Sequence, residues 1–195
     1  MKRKGAIQMS LGFIVAVVFA VILLSLAIVW IQGTVEQIRQ LTEDQIRNAH
    51  AQLDEVFETQ QTVFALSKNS IDNPPASRGR AYAIAIGFKN NLDSSMLNAD
   101  NTAYFSADVS AVGGPGGSSK LSEYATWIEC VPKSIWVEKG DIIGKITCAF
   151  AAPSVADAGT YTYLFEGCTD KNPITSCSGK TKFGGAPLSL QIVIK

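Results

Sequence analysis

"RAYAIAIGF", residues 80–88, places Tyr82, Ile84, Ile86 and Phe88 on one side of an extended chain and alanines with Gly87 on the other. A period of two is that of a strand with one side against a core, because successive side chains point to opposite faces of the pleat. Six further strand-like runs follow it: "TAYFSADVSA" (102–111), "ATWIECV" (125–131), "SIWV" (134–137), "DIIGKITCAFA" (141–151), "GTYTYLFEG" (159–167) and "PLSLQIVIK" (187–195). Turn-rich stretches such as "NNLDSSMLNADN" and "VGGPGGSSK" separate them, with no comparable helical period between. An antiparallel β-sandwich over residues 80–195 is the economical fold. Its last run sets Leu188, Leu190, Ile192 and Ile194 on one face, which predicts that the C-terminal strand is held inside a sheet.

Within this domain, "DAGTYTY" (157–163) resembles the tyrosine corner of immunoglobulin folds, with Asp157, Gly159 and Tyr161 at the matching positions. The resemblance implies an immunoglobulin-like sandwich in which Gly159 permits the turn and the Tyr161 hydroxyl bonds nearby backbone. Tyr163 stands where that motif has its cysteine, so the usual inter-sheet disulfide does not transfer. Cys130, Cys148, Cys168 and Cys177 allow two disulfides in three connectivities, which sequence alone does not rank securely. Cys148 shares a face with Ile146 and Phe150, which makes Cys130 its natural candidate partner; Cys168 and Cys177 would then close a small loop.

Toward the N-terminus, "SIDNPPASRG" (70–79) ends the preceding pattern, since paired prolines continue neither helix nor central strand. Before it, Val35, Ile38, Leu41, Ile46, Ala49, Leu53, Val56, Phe57, Val63 and Phe64 recur mostly at three and four residues, and no Pro or Gly interrupts Thr34 to Lys68. That spacing predicts an amphipathic helical stem. Further upstream, Leu11 to Ile31 holds no Asp, Glu, Lys, Arg, Asn or Gln, and about 20 such residues in a helix cross a bilayer. Lys2, Arg3 and Lys4 precede the run, which places the N-terminus in the cytoplasm and the C-terminal domain outside the cell. The expected fold class is therefore α+β: a long N-terminal transmembrane helix with an amphipathic extension, followed by the sandwich. The segments are a leader at 1–5, hydrophobic helix and stem at 6–72, a linker at 73–79 and the β domain at 80–195.

The basic start, Gly5, the polar stretch with Gln8 and Ser10 and the long hydrophobic run resemble the class III signal of archaeal type IV pilins and archaellins. Gly12 occupies the glutamate position of their Q-x-S-x-E start. The resemblance implies a cut by a prepilin peptidase-like enzyme at Lys4-Gly5-Ala6, after Gly5, and a homo-oligomeric surface filament with a possible role in adhesion. Gly12, Ala16 and Ala20 have the small-xxx-small spacing that lets helices approach closely. Left uncleaved, the same chain would be a membrane-anchored extracellular binding module of immunoglobulin-like fold.

Chemistry is poorly represented. Lys+Arg and Asp+Glu are 17 each, which leaves no basic field for a nucleic acid. There is one histidine, His50, and no G-x-S-x-G, phosphate loop or H-E-x-x-H, so no enzyme, cofactor or metal is expected. Asp93, Asn98, Asp100 and Asn101 lack EF-hand spacing and read as a solvated loop. Trp127, Trp136 and Tyr124 are candidates for contact with a cell-surface partner or polysaccharide if exposed, although their strand-like runs favour core packing.

Overall fold

The computed structural model describes residues 12, 15–25, 43–72, 74, 81–140 and 142–195. They fall into two units, Met1–Arg39 and Gln40–Lys195. In the first, residues 15–25 form helix α1, all of them exposed, Val17, Phe19, Leu23 and Leu24 included. Among the described residues no helix is long and apolar enough to cross a membrane. This corrects two expectations, the long transmembrane helix in the fold class and the single-pass location with a cytoplasmic N-terminus and an extracellular domain. The described helix is about half of the ~20 residues that a span takes. The leader residues Lys4, Gly5 and Ala6 lie outside the described residues, as does the rest of the run around α1 apart from Gly12. Gly12, Ala16 and Ala20 are helical and exposed, and a Cβ built on Gly12 meets nothing within 4 Å.

The second unit is predominantly β. Helix α2 (Glu43–Gln60) leads into β1 (Phe64–Leu66), β2 (Ser70–Asp72), β3 (Tyr82–Lys89) and β4 (Thr102–Gly113). A short helix, α3 (Leu121–Ala125), precedes β5 (Ile128–Val131), β6 (Ile135–Glu138), β7 (Ile143–Phe150), β8 (Gly159–Asp170) and β9 (Thr181–Ile194). Among the described residues the strands form a four-stranded sheet, β1-β3-β7-β5, and a five-stranded sheet, β2-β9-β8-β4-β6. Neighbours are antiparallel except β2, which runs parallel to β9 with Ile71 opposite Ile192. Among the described strands the chain crosses from one sheet to the other at every step from β1 to β8, and β8 and β9 are consecutive in one sheet; the step from β5 to β6 runs through the cis Val131–Pro132 bond. All seven expected runs contribute strands, and the sandwich is of immunoglobulin-like layering.

The predicted stem is shorter than its periodicity suggests. Glu43 and Asp44 open α2 in the turn where negative charge complements the helix dipole. The helix closes at Gln60, and Gln61 takes the left-handed conformation (φ 47°) common just past a helix end. Residues 64–66 then pair with β3, Phe64 opposite Phe88, and Lys89 N–H donates to the Val63 carbonyl at 2.8 Å. Nothing local stops the helix before Lys68; a waiting sheet edge does. Of the expected linker, 73–79, only Pro74 is among the described residues.

Strand β3 is buried on both faces rather than one. Ile84, Ile86 and Phe88 enter the sandwich, while Ala83 and Ala85 form a floor beneath Ala49, Leu53 and Phe57 of α2. Small residues are what a helix needs to lie close on a sheet, and Gly87 continues the row. Inside the sandwich, Phe64, Phe88, Phe105 and Phe183 pack together, with Phe105 and Phe183 centroids 4.8 Å apart. A second aromatic group joins Tyr124, Trp127, Tyr161, Phe150 and Tyr163.

Candidate binding site

Along β4, Ala103 and Phe105 are fully buried, so Tyr104 between them belongs to the outer face of the five-stranded sheet. Its cross-strand partner on the edge strand β6 is Trp136. Trp136 is 62% exposed, whereas Trp127 is 7% and Tyr124 2% exposed within the core. Of the three aromatic candidates, only Trp136 is therefore presented to solvent. Trp136 and Tyr104, with Asn98, Ala99, Asp100 and Thr102, line a concavity of about 540 Å³.

The loop at residues 98–101 is a braced turn. Asp100 Oδ1 accepts from the Thr102 hydroxyl at 2.6 Å and from the Thr102 N–H at 3.2 Å. The Thr102 hydroxyl, more than the backbone N–H groups, holds the Asp100 carboxyl below its ordinary pKa, so the carboxylate is charged at neutral pH. Asn98 Nδ2 donates to the Lys171 carbonyl at 3.1 Å, which ties this turn to the segment between β8 and β9. That segment is itself fixed. The Cys168–Cys177 disulfide closes it, Cys177 N–H donates to Asp108 Oδ2 at 2.9 Å, and Ile174 beneath it is 1% exposed. Lys180 pairs with Asp170 at 2.7 Å and lowers that carboxyl's pKa.

The other candidates are placed elsewhere and act structurally. Cys130 and Cys148 are bonded to each other, opposite one another on neighbouring strands of the four-stranded sheet, so the bridge lies within a sheet. At the predicted corner, the Tyr161 hydroxyl donates to the Asp157 carbonyl at 2.6 Å, and Asp157 also pairs with Lys120 at 3.4 Å. Burial, then the nearby Tyr124 and Asp157, push the Tyr161 phenol up to about 12. Gly159 faces Pro115, leaving no room there for a side chain. Tyr163, in the cysteine's place, packs on Phe150 and donates to the Tyr124 carbonyl at 3.2 Å. His50 sits at the α2–sheet junction with Nε2 3.0 Å from Thr147 Oγ1. Among the described residues no group of three or more His, Cys, Asp or Glu is placed to hold a metal.

The sequence reading missed Tyr104 and gave Asn98 and Asp100 only a loop role. A signal was present in the alternation Ala103-Tyr104-Phe105, which puts a tyrosine outside between two inward residues. Its register with Trp136 was not readable, because strand pairing is non-local.

No protein-family model and no curated protein sequence matches the chain. Solved structures are similar to it at low identity. The PapD-like domain 7 of human CEP192 is 16% identical, covering 69% of this chain and 86% of that one, with a TM-score of 0.41. The periplasmic chaperone SfaE is 8% identical over 68% of this chain and 57% of its own, with a TM-score of 0.36. A family 123 glycoside hydrolase from Clostridium perfringens is 12% identical over 75% of this chain and 25% of its own, with a TM-score of 0.45. The resemblance to archaeal type IV pilins and archaellins is not upheld. The long apolar helix it requires is not found among the described residues. The architecture on which the site rests is the immunoglobulin-like sandwich given by its own strand order.

Proposed function

We propose that the chain is a non-catalytic binding module that engages its ligand through the outer face of the five-stranded sheet. The observation that carries this reading is the exposure of Trp136 beside Tyr104 over a braced polar turn. Trp and Tyr are enriched where proteins meet partners, and here the two lie side by side on neighbouring strands. The turn and the stapled segment behind it supply a rigid frame, which lowers the ordering cost of binding. Two disulfides support work in an oxidising compartment. Equal numbers of acidic and basic residues favour a ligand other than nucleic acid.

The test is retention on an immobilised panel of glycans and extended peptides, comparing the wild-type chain with Trp136→Ala. The reading expects at least one surface to retain the wild type and release the variant. Equal behaviour of the two across the panel would remove the Trp136 face as the binding site.

A further inference from the structure

We propose that the Trp136 concavity recognises a neutral pyranose ring of a glycan, an inference that rests on the binding-module reading above. A pyranose has two chemically different parts, a face of C–H groups and a rim of adjacent hydroxyls. The site offers a counterpart to each. Trp136, exposed on the edge strand, is a flat apolar platform, and Tyr104 directly across the strand pair widens it. Their Cβ atoms stand about 4.5–5.5 Å apart in such a pair, and both residues line the same concavity.

The rim is rich in acceptors. Thr102 occupies Asp100 Oδ1 twice, and among the described residues no group takes Oδ2. Asn98 Nδ2 donates to the Lys171 carbonyl at 3.1 Å and to Thr102 Oγ1 at 3.4 Å, and among the described residues no donor takes its Oδ1. Tyr104, whose hydroxyl is both a donor and an acceptor, lines the same concavity. Two acceptors beside one amphoteric group match vicinal hydroxyls, which need acceptors for their protons. A bare apolar segment would leave the Asp100 carboxylate facing it unpaired, at a cost in desolvation. A cation would suit that carboxylate, but quaternary ammonium ligands are typically held in an enclosing aromatic cage, and here Trp136 is mostly exposed with Tyr104 the one other aromatic residue lining the concavity.

The experiment uses the full chain and follows tryptophan fluorescence during titration with cellohexaose, mannohexaose and chitohexaose, and separately with decaproline and choline. Trp136 is the exposed tryptophan among the described residues, so stacking on it shifts emission to shorter wavelength. The expected result is saturable binding of at least one oligosaccharide. Trp136→Ala weakens it at least tenfold, Trp136→Phe retains it within about fivefold, and Asp100→Asn weakens it several-fold. Far-UV circular dichroism and the urea midpoint of each variant establish that it is folded. Glycan binding indifferent to Trp136→Ala overturns the assignment of the site. Trp136-dependent binding of decaproline or choline without any oligosaccharide overturns the sugar inference and leaves the binding-module reading standing. No Trp136-dependent binding in any titration, with the variants folded, overturns both.

Discussion

Gly87 shows how much one position decides. A Cβ there would overlap the Phe57 ring and lie 2.9 Å from Leu53 Cδ2, so the glycine is what lets α2 reach the sheet. Gly87→Val is expected to cost about 1–3 kcal/mol, the usual range for overpacking, measured as a lowered urea midpoint. Trp136→Ala, at an exposed site, is expected to change stability by no more than about 0.5 kcal/mol, so a binding defect in it would not reflect unfolding. At the corner, Tyr161→Phe removes the bond to the Asp157 carbonyl and should cost about 1 kcal/mol. Alkaline difference spectroscopy of the native chain should show the Tyr161 phenol ionising only near 12. The corner was legible in the sequence because its motif is local: seven consecutive residues contain the turn, the glycine and the donor.

Helix α2 is the element whose attachment depends on pH. Three groups face His50: Asp54 from its own helix, and Lys145 and Thr147 from β7. Burial, then Lys145, lower the His50 pKa below 6.5, with Asp54 opposing them. A histidine depressed in the folded state binds its proton more readily when unfolded. Stability is therefore full above about pH 6.5 and declines as pH falls below that value, until the folded group also titrates. Urea midpoints between pH 7.5 and 5 should show this decline, and His50→Gln should flatten it. Asp100 and Asp170, both lowered below 3.8, add a separate loss only when pH falls through the carboxylate range. The face of α2 was legible from its spacing, since Ala49, Leu53 and Phe57 recur every four residues. Its end was not, because residues 61–66 carry no helix breaker and stop only where β3 offers an edge.

At the scale of the molecule, the two disulfides do different work. Cys130–Cys148 ties neighbouring strands of one sheet across a separation of 18 residues, a loop for which closure entropy is worth roughly 3 kcal/mol. Cys168–Cys177 holds the segment that braces the binding concavity through Lys171 and Asn98. Cys168→Ser with Cys177→Ser should therefore speed amide exchange in residues 171–180 and weaken binding at Trp136, with the sandwich core still protected. Equal exchange in wild type and variant would show that the loop is held without the bond.

Sequence by itself determined the alternation that makes the seven late strands, the tyrosine corner and the apolar face of α2. Each of these is written in residues close together in the chain, where the period of side-chain directions and the chemistry of a turn are read directly. Tertiary structure decided the rest. It drew residues 64–72 out of the expected stem into two different sheets, covered the alanine face of β3 with a helix, and placed Trp136 opposite Tyr104 on an outer face while burying Trp127 and Tyr124. Those outcomes depend on which edge a segment meets and what covers it. Such contacts join residues distant in sequence, and composition and period carry no record of them.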